Sequence, residues 1–263
     1  MYLIFDIGGT QIKLAISSDG QNLDKTKTIP TQQDFYRAIT AIKEAAFELS
    51  GGEPFQAAAG GARALDQTKT KLVNRSHFPL WVDAPLKGKL EEVLNTRVKL
   101  ENDAAVAGLG ETLFGAGKDY RIVVYITVST GIGGARIVEG KIDQNTLGFE
   151  PGNQIITLEG DTLESLISGV SLERKYGQKP QEINDPGIWD SVARILAIGL
   201  NNSVVHWSPD IIILGGSVSE SIPLDKVNGY LRQFLTVFPE PPKITKSALG
   251  SQAGLLGALK LLT

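Results

Sequence analysis

The segment YLIFDIGGTQIKLAIS, residues 2–17, restricts the fold of this chain more than any other. Residues 2–6 and 11–17 read as strands, and Gly8 and Gly9 sit at the bend between them. A glycine loop of the Rossmann or P-loop kind needs a helix N-terminus directly behind it, so both are excluded. A glycine pair between antiparallel strands is, taken alone, a hairpin turn that needs positive φ. A turn has no need of Asp6, however. A carboxylate on the last strand residue, with Thr10 across the bend, suits hydrated Mg²⁺ beside a phosphate held by backbone N–H groups.

Two further loops repeat this design. Residues 121–128 form a solidly apolar strand that ends at Ser129-Thr130-Gly131-Ile132-Gly133-Gly134, before a returning strand. Residues 210–214 form another, which ends at Gly215-Gly216-Ser217 ahead of a helix. Each loop alone is a turn. Three of them, each at the end of an apolar strand, fit one polyphosphate-bearing ligand lying in a cleft.

The remaining pattern is mixed α/β. A third strand is expected at 23–29, a helix at 34–50 closed by Gly51-Gly52, a small-residue strand at 56–60, a helix at 86–95 and a strand at 97–101. Residues 61–83 carry no assignable pattern. A similar order then restarts, with a helix at 104–114, the strand at 121–128, and strands at 135–139 and 141–142 across Gly140. Helices at 163–168, 188–207 and 225–234, a strand at 243–248 and a helix at 253–261 complete it. Three strands before the first helix is not the simple alternation of a dinucleotide-binding domain.

Glu101-Asn102-Asp103 closes a strand and opens the helix AAVAGLGETLF. Asn and Asp are preferred N-caps, and a helix needs only one. A spare carboxylate at such a junction could accept a proton from a sugar hydroxyl.

Together these motifs resemble the ROK family of bacterial sugar kinases, across nearly the whole chain and in the family's order. DIGGT with Lys13 is similar to its first phosphate motif, and ENDAAVAGLGE to the segment whose aspartate is the catalytic base, here Asp103. STGIGGARIVEGKI resembles the second phosphate motif, SPDIIILGGSVS the adenosine motif, and LGSQAGLLGALKLL the closing helix. The resemblance implies a two-lobed actin/hexokinase-like (ribonuclease H-like) ATPase fold with mixed sheets and an interdomain cleft. Residues 1–101 would form the smaller lobe, with the helix at about 250–263 packing back on it, and 102–249 the larger.

It implies ATP and Mg²⁺ as cofactors and a hexose as substrate, glucose or a relative, phosphorylated at the 6-hydroxyl; other acceptors are fructose, N-acetylmannosamine or a glucoside. Asp6 would hold Mg²⁺ mostly through water. Gly8, Gly9, Thr10, Lys13, Thr130, Gly131, Gly133, Gly215 and Gly216 would bind the nucleotide. Gly215 and Gly216 would let the chain approach the nucleoside with no Cβ in the way. Asn102, Asp103, Glu150, Asn153 and Glu164 would bind the sugar.

Asn153 stands where the family has a histidine that in many members also binds zinc. The chain has no cysteine, and ten residues separate Asn153 from Glu164, so no zinc site is expected. A sugar or nucleotide sensor that lost turnover is the alternative from another class; an intact Asp103 argues against it.

Composition limits the partners. Net charge is −3, and the 26 lysines and arginines are scattered, so no nucleic-acid partner is expected. DIGGT begins at residue 6, so the DNA-binding domain that repressor members carry ahead of it is not expected here. Apolar runs are too short to span a membrane, and MYLIFDIGG lacks the basic start of a signal peptide, so a cytoplasmic protein is expected. The resemblance favours a homodimer. His77 reads as a lone surface histidine, His206 as packed or capping, and Trp81, Trp189 and Trp207 as core or interface residues.

Overall fold

The computed structural model describes residues 1–63, 65–73 and 78–263. His77 lies outside the described residues. Two compact units emerge. The first comprises Met1–Gly110, Gln144–Gly148 and Gln252–Thr263, the second Glu111–Asp143 and Phe149–Ser251.

In the first unit β1 (Tyr2–Ile7), β2 (Gln11–Ser17) and β3 (Lys25–Pro30) form an antiparallel meander. β4 (Ala57–Ala62) and β5 (Val98–Glu101) add on the other side of β1, parallel to it, giving the order β3-β2-β1-β4-β5. α1 (Phe35–Ser50) buries Phe35, Ala38, Ile39, Ile42, Ala45, Ala46 and Leu49 at helical spacing. Asp34 caps its start by accepting from the Arg37 N–H at 2.8 Å, and Gly51 ends it in the left-handed region at φ 66°.

Strand alternation divides β1 between two cores. Leu3, Phe5 and Ile7 pack in the cluster that holds α1 and α2 (Leu86–Leu94). Ile4 instead packs with Val106 of α3 (Asp103–Phe114) and with Leu255, Ala258 and Leu259 of α8 (Ala253–Lys260). The chemistry-bearing face of β1 is therefore the one under α3 and α8.

The second unit repeats the scheme. β6 (Ile122–Val128), β7 (Ile132–Val138) and the two-residue β8 (Lys141–Ile142) form the meander. β9 (Ile211–Gly215) and β10 (Lys243–Lys246) run parallel to β6, giving β10-β9-β6-β7-β8. Leucine and alanine of α6 (Pro186–Trp207) cover it, with Leu196, Ala197 and Leu200 fully buried beside Val124, Ile126 and Val128. The second core also takes in α4 (Leu163–Ile167), α5 (Gly169–Tyr176) and α7 (Leu224–Phe234).

Several elements depart from the sequence expectations for local reasons. The helix expected at 163–168 ends at Ile167, because Ser168 is extended at φ −69°, ψ 160°, and the Ser168 hydroxyl caps a second helix at Gly169–Tyr176 that was not expected. β7 begins at Ile132, not at 135, so Gly133 and Gly134 belong to the ladder. A methyl on Gly134 would lie 2.6 Å from Pro151 Cγ, which accounts for a glycine inside a strand. A 3₁₀ turn, Ser219–Ser221, follows the third glycine loop before α7 begins. β10 stops at Lys246 because the next three residues bond to the fully buried Glu111 carboxylate. The Ser247 hydroxyl donates to it at 2.5 Å, and the N–H groups of Ala248 and Leu249 at 3.2 and 2.8 Å. Among the described residues no helix is long and apolar enough to cross a membrane.

Candidate functional site

In the first unit the register pairs Asp6 with Lys13 on β2 and with Gly61 on β4. The Asp6 carboxylate is wedged between two glycines. A methyl on Gly61 would lie 3.4 Å from Asp6 Oδ1, 3.1 Å from the Asp103 Cα and 2.7 Å from Val106 Cγ2. A methyl on Gly254, in the first turn of α8, would lie 3.1 Å from Asp6 Oδ2. The small residues of β4 thus bring the first turn of α3 against Asp6. Burial first, and then the neighbouring Asp103 charge, raise the pKa of Asp6 to about 6 against the opposing pull of Lys13.

The junction before α3 divides its duties. Asn102 Oδ1 accepts the Ala105 N–H at 3.1 Å and caps the helix. Glu101 pairs with the Lys69 ammonium and accepts the Asn102 N–H at 3.0 Å. Asp103 stands at the first helical position, half-buried, with Oδ1 accepting the Ala104 N–H at 2.8 Å. The cap that competed with catalysis as an explanation for Asp103 is supplied by its neighbour.

The first glycine loop is closed by the Gly8 N–H on the Gln11 carbonyl at 3.0 Å. Gly8 is not in the left-handed region, contrary to the expectation for this turn. A methyl there would lie 2.9 Å from the Gln11 carbonyl oxygen, so the closeness of the turn excludes a side chain. Thr31, which the sequence did not single out, holds the loop from behind. Its hydroxyl donates to the Gly8 carbonyl at 2.8 Å and its N–H to the Thr10 carbonyl at 3.0 Å. Gly9 and Thr10 are exposed, and their N–H groups bond to no protein acceptor among the described residues. Such an edge of free amides suits an anion.

In the second unit the loop after β6 is held similarly. The N–H groups of Gly169 and Val170, at the start of α5, donate to the Ser129 and Thr130 carbonyls at 2.7 and 3.4 Å. The Ile132 N–H donates to Glu164 Oε2 at 2.6 Å. Thr130 is exposed at the tip, Gly131 is buried and Gly133 is half-buried in β7. The 3₁₀ turn Pro151–Asn153 packs on the same hairpin: a methyl on Gly152 would lie 2.3 Å from the Ile132 carbonyl oxygen. Glu150 and Asn153, both exposed, flank that turn, and Asn153 Nδ2 donates to Glu150 Oε2 at 3.3 Å. Thr130, Glu150, Asn153 and Glu164 therefore share one scaffold.

Packing also constrains the glycines of the third loop. A methyl on Gly215 would lie 2.0 Å from the Tyr125 hydroxyl. On Gly216, at φ +89°, it would meet the Val128 carbonyl oxygen at 2.4 Å and Thr127 Oγ1 at 2.6 Å. Packing of β9 on β6 dictates both residues without any ligand.

Away from these groups, His206 is exposed on the last turn of α6, not packed. Trp81 and Trp189 are buried, and Trp207 meets Phe149 edge-on at 5.1 Å.

The donor set around Asp6 fits a hard divalent cation. Asp6 has a second carboxylate, Asp103, and one ammonium, Lys13, within electrostatic reach. Its burial makes ionisation more costly than in water, a cost that a cation would offset. The family-model comparison matches residues 2–263 to the ROK family. A glucokinase of Thermotoga maritima is 26% identical over 98% of this chain and 95% of its own length. An N-acetyl-D-glucosamine kinase of Escherichia fergusonii is 25% identical over 98% of each chain. Among solved structures, the ROK family glucokinase of Streptomyces griseus, in complex with glucose and AMPPNP, superposes with a TM-score of 0.85 at 25% identity, covering 99% of this chain and 98% of that one. The α/β architecture is thus the actin/hexokinase-like fold of those kinases. The Thermotoga alignment runs to 305 positions against the 263 residues here, so this chain lacks segments its relative has.

Proposed function

The chain belongs to the ROK family, and from that premise we propose that it is an ATP-dependent sugar kinase acting on the 6-hydroxyl of a hexose. The observation that carries this reading is the division of labour before α3. Asn102 caps the helix, so capping does not account for the second carboxylate, Asp103, which stands at the first helical position beside Asp6.

Asp103 takes the proton of the attacking hydroxyl as the sugar oxygen bonds to the γ-phosphorus and the bond from that phosphorus to the ADP oxygen breaks. The free amides of Gly9 and Thr10 receive phosphate oxygens, and Lys13 adds positive charge beside them. In the second unit Thr130, Gly131 and Gly133 are the candidates for nucleotide contact, and Gly215 and Gly216 keep β9 close to β6. Asp6 would hold a divalent cation, Mg²⁺, which when bound would neutralise charge on the phosphates. Asn102, Glu150 and Asn153 orient the sugar, with the Asn153 amide holding the Glu150 carboxylate in the place of an imidazole. Glucose is the first acceptor to test. The Thermotoga relative is named a glucokinase and the Escherichia relative an N-acetyl-D-glucosamine kinase, so the reading covers the class and the assay picks the member.

ADP release coupled to NADH oxidation, measured with glucose, fructose, N-acetylglucosamine, N-acetylmannosamine and a methyl glucoside, tests this. Sugar-dependent ADP release with at least one of them is expected. Binding of nucleotide and sugar by calorimetry with no release across the panel would identify a sensor instead.

A further inference from the structure

We propose that Glu164 is a positioning residue of the second phosphate loop, acting on the nucleotide through the backbone of Ile132, and that this role is separable from any contact with sugar. The proposal rests on the kinase reading and adds to it a residue whose family position suggested the sugar side alone.

The geometry that assigns it is local to the second unit. Glu164 lies in the first turn of α4, whose start is fixed by a reciprocal cap between Thr162 and Ser165. Its backbone carbonyl is also engaged, accepting the Ser168 N–H at 3.1 Å and the Ser171 hydroxyl at 3.0 Å. With main chain fixed on both sides, the half-buried side chain delivers Oε2 to the Ile132 N–H at 2.6 Å. That is a charge-assisted bond, shorter than a neutral amide bond.

The bond acts with two others. The start of α5 takes the carbonyls of Ser129 and Thr130, and Gly169 is a glycine because a methyl there would lie 2.8 Å from the Ser129 oxygen. Residues 129–132 are thus clamped at three successive points by the α4–α5 corner. Clamping has a chemical consequence. The Ile132 N–H is committed to Glu164 and is unavailable to a phosphate, so anion binding at this loop falls to Thr130, Gly131 and Gly133. A loop already fixed in its binding shape loses less conformational freedom when nucleotide arrives. Without Glu164 the loop must be ordered by the nucleotide itself.

The test separates the two roles by measuring nucleotide binding with no sugar present. Titration of Mg²⁺-ADP into Glu164→Ala should show affinity about tenfold weaker than wild type, the scale of one lost charge-assisted bond. Glu164→Gln keeps an oxygen acceptor for the Ile132 N–H and should recover affinity to within about threefold. Mg²⁺-ADP affinity in Glu164→Ala within twofold of wild type overturns the proposal, whatever happens to the sugar KM. An equal loss in Glu164→Gln also overturns it, since the charge and not the bond would then matter.

Should Glu164→Ala fail to fold, hydrogen exchange of the Ile132 amide in the wild-type protein decides. Slow exchange that persists with saturating acceptor sugar supports the clamp. Fast exchange, or protection lost on adding sugar, overturns it. Wild-type protein that turns over no sugar in the panel would remove the kinase reading instead, and leaves the exchange result standing on its own.

Discussion

The two glycine loops hold equivalent places in two sheets of the same strand order, yet their chemistry differs. The loop after β1 has a carboxylate at its root, Asp6, and a half-buried lysine paired across the ladder. The loop after β6 has Thr127 paired with Gly133 at the corresponding place and is bonded by a carboxylate, Glu164, from a helix behind it. Thr31 holds the first loop by its carbonyls alone, whereas α4 and α5 hold the second by carbonyls and an amide together. A repeated scaffold has been given unequal work: one copy carries charge, the other carries shape.

The largest expected effect lies where charge is carried. Asp103→Asn keeps the size of the side chain and an oxygen for the Ala104 N–H, but removes the base. Steady-state kcat on the best sugar of the panel should fall by about 10²–10⁴-fold with nucleotide affinity nearly unchanged, the range for loss of a general base. Turnover within tenfold of wild type would take Asp103 out of the reaction.

Gly61→Ala probes the same centre through packing. Its methyl would sit 2.7 Å from Val106 and 3.1 Å from the Asp103 Cα, so the start of α3 must shift. We expect about 1–3 kcal/mol of lost stability in urea titration and a fall in kcat larger than any rise in sugar KM. In the second unit Gly215→Ala should cost a similar 1–3 kcal/mol, for a reason that involves no ligand. Removing the Tyr125 hydroxyl, the atom 2.0 Å from the new methyl, should relieve part of it, with the ring carbons at 2.6 and 2.9 Å remaining. A double-mutant cycle with Tyr125→Phe should show coupling of about 0.5–3 kcal/mol, and additivity would return Gly215 to the nucleoside.

These glycines also mark the limit of what could be read before the structure. DIGGT, END and STGIGG were legible because each joins a polar group to a chain corner within a few residues. The two meanders and α1 were legible from period and from the Gly51 stop. Gly61 and Gly254 were not, because their meaning is a close approach between elements far apart in sequence, fixed only by the β1–β4 register and the seat of α8. For Gly215 and Gly216 the packing constraint could not be read either: Tyr125 lies 90 residues from Gly215 in sequence. α5 was missed because GVSLERKY is short and largely polar, with an apolar face of only a few residues. Thr31 gave no signal at all, since a threonine after a strand is unremarkable until its hydroxyl is seen on Gly8.

Asp6 allows the charged loop to be tested without any turnover. Its folded pKa of about 6 lies above the ordinary 3.8, so the folded state binds that proton more tightly than the unfolded chain. The stabilising contribution is therefore complete below about pH 4 and is lost as pH rises through 6. Above that the ionised carboxylate costs the metal-free protein up to about 3 kcal/mol. Asp6→Asn, neutral at every pH, should melt higher than wild type at pH 8 in EDTA, and the gain should vanish toward pH 4. No gain at pH 8 would mean that the carboxylate is better solvated than its surroundings imply. The same variant should bind Mg²⁺-ADP more weakly, so that stability and function move in opposite directions.

The smallest effect should come from Thr31→Val, which compares the two ways of holding a loop. The substitution removes the hydroxyl bond to the Gly8 carbonyl and keeps both the branched shape and the backbone bond to Thr10. A neutral hydrogen bond of this kind is worth about 1 kcal/mol, and the Gly8 carbonyl can turn to water once released. Mg²⁺-ADP affinity should therefore weaken by less than about fivefold, below the loss expected for Glu164→Ala, whose bond is charge-assisted and anchors the loop by an amide. If Thr31→Val instead proves the more damaging of the two, the amide edge of Gly9 and Thr10 depends on its backing more than the second loop depends on Glu164. Preorganisation would then be concentrated in the charged copy of the scaffold, and the division between charge and shape would have to be given up.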